Sequence, residues 1–167
     1  MLSSVGLGWN LYRALQNKAR LKIDMHIRRI VWSPDGRWYQ VLPDLPVVGA
    51  SKAFFLVVNV TNVGRRPVKW IGWGGTYHKR HKDKTNFVIQ PTQVPIMLPQ
   101  GDTFSEMTSD LTPVSDDVKG IFIWDATGKY WHLSRRALRK LKEERRKFAV
   151  QPREQKTEKA AEADAKW

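Results

Sequence analysis

The chain has 167 residues, room for one core domain with appendages. Hydrophobic residues make up 41% and include eight Trp, which supports a sizeable core and excludes general disorder. The formal net charge of +13 points to polyanionic partners (nucleic acid, anionic headgroups or an acidic protein face), and the absence of cysteine excludes disulfides and thiolate metal sites.

Residues 1–19 read as an N-terminal amphipathic helix, because Leu2, Val5, Trp9, Tyr12 and Leu15 recur at roughly three-to-four spacing. Its apolar part, Met1 to Leu11, is shorter than the ~20 residues that span a bilayer. It also lacks the basic start and small-residue cleavage site of a secretory signal. Trp9 and Tyr12 followed by Arg13 and Lys18 is the order found where a helix leaves a membrane, aromatics at headgroup depth and cations beyond. These four are the expected membrane or partner contacts. The alternative is a terminal helix that covers one end of the domain.

Residues 20–133 change to period two. Leu21, Ile23, Met25 and Ile27 alternate with Lys22, Asp24, His26 and Arg28, as in a strand with one buried face. Ser33-Pro34-Asp35-Gly36 is a turn, and Leu42 to Ala50 is a loop. Ala53 to Val63 is the strongest strand, with Phe54, Leu56, Val58 and Val60 on its buried face. Asn62 to Pro67 closes it, with a positive φ expected near Gly64, and Val68 to Trp73 returns as a partner strand. Gly72, Gly74 and Gly75 predict a bulge. Tyr77 to Thr85 reads as a charged hairpin tip or loop, and Asn86 to Ile89 and Thr103 to Thr108 as short strands. Asp110 to Lys119 is an irregular connection with one helical turn, and Ala126-Thr127-Gly128 turns a hairpin between Gly120–Asp125 and Lys129–Leu133. Many short strands and no long core helix predict an antiparallel β-sandwich or barrel.

Ser134 is the N-cap of a basic C-terminal helix over 134–148, in which Ala137, Leu138, Leu141 and Phe148 form a narrow apolar stripe. Residues 135–147 carry eight Lys or Arg against Glu143 and Glu144. Beyond it, residues 149–167 form a polar tail that is expected to be mobile. Trp167 at its end is the expected point of tail docking on a partner.

Three stretches carry a resemblance: Val58-Asn59-Val60-Thr61-Asn62-Val63-Gly64-Arg65-Arg66-Pro67-Val68, Leu98-Pro99-Gln100-Gly101-Asp102, and Val118-Lys119-Gly120-Ile121-Phe122-Ile123-Trp124-Asp125-Ala126-Thr127-Gly128. They are similar to a group of small uncharacterised bacterial proteins with an N-terminal hydrophobic segment followed by an immunoglobulin-like β-sandwich. Gly8-Trp9-Asn10-Leu11-Tyr12-Arg13 resembles the end of that hydrophobic segment. The resemblance implies a mainly β, immunoglobulin-like fold and a position close to a membrane, but no activity.

Candidate chemistry is sparse. His78 and His81 lie three apart among Lys79, Arg80, Lys82 and Lys84, which would repel a metal ion, and a metal needs three or four convergent ligands. Asp116-Asp117 and Glu143-Glu144 are adjacent pairs whose side chains face apart, unlike a carboxylate dyad. No phosphate loop, nucleophile elbow or zinc-protease helix occurs. No enzyme activity, cofactor or metal is therefore expected.

Cations are the stronger signal. Arg65, Arg66, Lys79, Arg80, Lys82, Arg135, Arg136, Arg139, Lys142 and Arg146 form the expected basic face. The function expected from the sequence is a non-catalytic scaffold or accessory subunit on the cytoplasmic side of a membrane. It would dock on a membrane-associated protein complex, with anionic headgroups as a further partner. The alternative is nucleic-acid or ribonucleoprotein binding, with cations on phosphates and aromatics such as Trp70, Trp73, Tyr77, Trp124 and Trp131 stacking on bases.

Overall fold

A computed structural model describes residues 18–81 and 84–149. The expected N-terminal helix with Trp9, Tyr12 and Arg13, the loop residue Lys82, and the tail with Trp167 lie outside the described residues. In chain order the strands are β1 (Leu21–Trp32), β2 (Trp38–Val41), β3 (Phe55–Asn62), β4 (Val68–His81), β5 (Lys84–Ile89), β6 (Ile96–Leu98), β7 (Thr103–Thr108), β8 (Val118–Asp125) and β9 (Tyr130–His132). A 3-10 turn spans Thr112–Val114, and the helix α1 spans Arg135–Ala149. All strand pairs are antiparallel: one sheet has the order β2-β1-β3-β7, the other β5-β4-β8-β9 with β6 on β4.

The two sheets pack face to face because each presents one apolar row. Leu21, Ile23, Met25 and Ile27 from β1 and Leu56, Val58 and Val60 from β3 meet Trp70, Trp73, Ile121 and Ile123 of the second sheet in one buried cluster. Each such side chain contributes about 1.5–3 kcal/mol on burial. β3 departs from the expected single face. Val57 is buried too, on the opposite face, in register with His26 and Met107. Phe54 lies just before the strand, half-buried, and stacks on Phe148 of α1 with ring centroids 5.3 Å apart.

Three local readings are corrected. Tyr77 to Thr85 does belong to a hairpin, but its strands reach further than expected: β4 runs 14 residues to His81 and β5 resumes at Lys84, because β8 and β5 continue to pair it beyond Trp73. The expected bulge is present, as register shifts between Trp70 and Gly72 and between Thr76 and Tyr77. β2, absent from the sequence reading, pairs Trp38–Val41 with Arg29–Trp32 across the Ser33–Gly36 turn. Gly64 does not take a positive φ. It is required by approach, since a Cβ there would strike the backbone of Lys18 and Arg20.

Two of the resembling motifs meet around one residue. Asn62 is fully buried, and its Nδ2 donates to Arg66 O at 2.8 Å and Leu98 O at 2.9 Å while Oδ1 accepts from Gly64 N at 3.0 Å. Its backbone exchanges hydrogen bonds with Gly101 and Asp102. The third motif folds on itself, with Asp125 Oδ1 accepting from the backbone of Thr127 and Lys129. These motifs therefore hold turns together.

Ser134 Oγ accepts from Ala137 N at 3.2 Å, as its N-cap position requires. Leu138, Leu141 and Phe148 then join the core cluster. α1 lies beside β1, where Glu144 Oε2 accepts from Ile27 N at 3.4 Å.

Candidate docking surfaces

Six of the eight cations of α1 fall into two groups. Lys142 Nζ donates to Asp116 O at 3.0 Å and Val118 O at 2.6 Å. Arg146 pairs with Asp116 at 2.9 Å, and Lys147 with Asp44 at 3.0 Å. Arg146 holds the Asp116 carboxyl below the usual carboxylate range by donating hydrogen bonds to it, and the pair raises the guanidinium in turn. These three side chains strap the helix to the domain, so Lys142 and Arg146 of the expected basic face are spent on internal contacts. Arg135, Arg136 and Arg139 are exposed and have no partner among the described residues.

Arg135 and Arg136 occupy the worst place on a helix for a cation, its first turn, and Arg139 follows one turn later. The helix N-terminus carries partial positive charge, and like charges there are unfavourable. The first turn of α1 holds no acidic residue to offset it, and Arg135 and Arg139 repel each other four residues apart. The local electrostatics of this end are unfavourable in the isolated protein, and an anion would relieve them.

The other expected basic residues are scattered. Arg65 and Arg66 are exposed in the turn between β3 and β4. Lys79 and Arg80 belong to the far end of β4, with side chains outside the described set. Lys18 is exposed just ahead of β1.

The aromatics are mostly engaged. Trp70 and Trp73 are fully buried, and their indoles donate to Gly72 O and to Glu106. Tyr77 packs on Phe87 at 5.5 Å, and Lys129 sits over the Trp131 ring at 5.1 Å. Phe122, Trp124, Tyr130 and His132 form a ladder on β8 and β9 with centroids 5.3 to 6.4 Å apart. Trp124 covers Gly72, where a Cβ would come within 3.2 Å of its ring. Aromatic cover of strand glycines stabilises a sheet, and it accounts for this ladder without a ligand.

Exposed apolar side chains gather elsewhere, on the arm made by β1, β2 and the loop that follows. Trp32 is 56% exposed, Tyr39 53% and Val48 99%, with Leu42 and Leu45 close to half. Exposed Trp and Tyr are the commonest anchors of protein interfaces. The same loop forms, with α1, an open cleft of about 540 Å3 whose wall includes Leu42, Leu45 and Phe148 and whose rim includes Lys140 and Glu143. Sequence reasoning missed this surface because β2 was missed. Trp38-Tyr39 ahead of Val41 was the available signal.

Among the described residues no group of three or more His, Asp or Glu is placed to hold a metal. Among them too, no helix is long and apolar enough to cross a membrane. No family model and no curated protein matches the chain. A solved structure described as the X-ray structure of Northeast Structural Genomics Consortium target SoR45 is 12% identical, covering 71% of this chain and 82% of its own, with a TM-score of 0.28.

Proposed function

We propose that this protein is a non-catalytic accessory subunit that docks on a membrane-associated protein complex at the cytoplasmic face. In this reading the two sheets form an immunoglobulin-like sandwich, residues 1–19 form the interfacial helix, and the start of α1 meets an acidic surface. The observation that carries it is the unpaired Arg135, Arg136 and Arg139 at the start of a helix strapped down by Lys142, Arg146 and Lys147. Cations kept in a locally unfavourable place mark a site where binding has been favoured over stability. The exposed arm with Trp32 and Tyr39 supports a protein partner in addition to a headgroup surface.

The test separates stability from binding. Replacing Arg135, Arg136 and Arg139 with Glu should not destabilise the isolated protein, because the gain at 135 and 136 in the first turn, about 0.3–1 kcal/mol each, offsets the like-charge pairs that a glutamate at 139 makes. The same change should strip it of partners in a pull-down from gently solubilised membranes. Unchanged co-purification would refute the reading. Nucleic-acid binding is distinguished by titration with a labelled oligonucleotide: binding that persists at physiological salt would favour it over docking.

A further inference from the structure

β1 is paired by β3 along Leu21–Arg28 but by β2 only from Arg29 onward. In an antiparallel ladder the backbone groups of alternate residues point to opposite sides. Arg20 O accepts from Val63 N and Gly64 N on the β3 side, whereas Ile27 N points away, to Glu144. The N–H and C=O groups of Leu21, Ile23 and Met25 therefore also point away from β3. Among the described residues no strand pairs this side of β1 ahead of Arg29, and no turn or loop bond reaches Leu21, Ile23 or Met25.

Beside this free edge runs a groove of about 390 Å3, with residues 20–24 of the β1 side as one wall and Trp131, Leu133 and Ala137 as the other. It is closed toward α1 by Ser134 and Ala137. Its rim is cationic. Arg20 has no acidic partner among the described residues, and Asp24 is already shared by Lys22 at 3.9 Å and His26 at 3.3 Å. Arg135 and Arg136 follow directly on Ser134, which lines the groove.

We propose that this groove takes an extended, acidic segment of a partner protein as an added strand of the four-stranded sheet. The proposal rests on the docking function above and names the conformation and charge of what docks. A free strand edge offers donors and acceptors at a two-residue repeat of about 6.8 Å, which an extended backbone matches and a lipid headgroup does not. Main-chain bonds at Leu21, Ile23 and Met25 give the affinity, and an alternate side chain of the segment enters between Ile23 and Trp131 and selects the sequence. The cations at the rim select acidic flanks.

The experiment uses the full chain, isotope-labelled, and a synthetic peptide of alternating valine and threonine between acidic ends. Two control peptides are the same sequence fully N-methylated and the same sequence with lysine ends. The acidic peptide should slow amide exchange at Leu21, Ile23 and Met25 at least tenfold, and both controls should bind at least tenfold more weakly. Ala137→Phe, which fills the groove, should abolish the protection, and the exposed pair Arg20→Glu and Lys22→Glu should weaken binding while β4 and β8 amides stay protected. Unaltered exchange at those three amides, or equal binding of the methylated peptide, overturns the added strand. If that happens while the Arg135, Arg136 and Arg139 replacement still abolishes membrane pull-down, docking stands and the groove is not its site.

Discussion

Glu106 is the carboxylate placed against the grain of its surroundings. It sits on β7 opposite Val58, and burial pushes its pKa up, partly offset by the hydrogen bond that the Trp73 indole donates. A carboxyl whose folded pKa is raised binds more protons folded than unfolded, so stability falls as pH rises from the unfolded value through the folded one. Glu106→Gln keeps the acceptor for Trp73 and removes the buried charge. The variant should match or exceed the wild type at pH 7 and lose that advantage in acid, measured by denaturant unfolding across pH. Asp116 has the opposite sign: Arg146 lowers its pKa, so its contribution is present above the unfolded value and lost as pH falls through the folded one. The same β3 register fixes a second comparison. Val58→Asp would place an unpaired charge in the core beside Glu106 and should destabilise by more than about 4 kcal/mol. Asn59→Asp should be mild, because Asn59 Oδ1 only accepts from Ser105 Oγ on the outer face and a carboxylate accepts as well. Equal tolerance of the two changes would contradict the register. Asn62→Ala should cost at least about 1–3 kcal/mol, because it strips Leu98 O, Arg66 O and Gly64 N of a buried partner.

At the level of elements, α1 depends on its neighbours for its stability. A helix of 15 residues is marginal alone, and this one adds like-charge repulsion. It is held by Leu138, Leu141 and Phe148 in the core and by the straps to Asp116, Val118 and Asp44. Leu141→Ala should cost about 2–5 kcal/mol. Asp116→Asn should loosen the helix far less, since the exposed ion pair adds little beyond the Lys142 bonds to backbone carbonyls. Amide exchange along 138–148 distinguishes the two: wholesale loss of protection in Asp116→Asn would mean the ion pair, not the apolar stripe, holds the element. The straps also decide which cations can be replaced to probe docking without disturbing the helix: Lys142 and Arg146 cannot. Those two contact the domain, whereas replacing Arg135, Arg136 and Arg139 leaves the attachment of the helix intact.

For the molecule as a whole, charge and attachment act together. A net charge of +13 gives weak attraction to any polyanion, so only binding that survives physiological salt identifies a partner. The intact protein should sediment with membranes at low salt. A variant lacking residues 1–17 should be recovered folded in the soluble fraction. The boundary matters: the backbone of Lys18 to Arg20 packs on Gly64, and Arg20 O accepts from Val63 and Gly64, so removing residues 18–20 as well should destabilise the β1–β3 pair. Wholly soluble recovery of the intact protein would count against membrane docking.

Period-two alternation in Leu21–Ile27 and Leu56–Val60, the turn residues of Ser33–Gly36 and Ala126–Gly128, and the Ser134 cap were legible because each depends on residues close in sequence. They determine a mainly β domain followed by a basic helix. Other features depend on segments brought together across the chain. Lys142 meets carbonyls at Asp116 and Val118, Gly64 meets the backbone at Lys18 and Arg20, and Val57 is buried on a face that alternation alone leaves to solvent. Which cations remain free and where a strand edge lies open follow from that long-range register. Local periodicity specifies a face, but only the packing of distant elements decides what covers it.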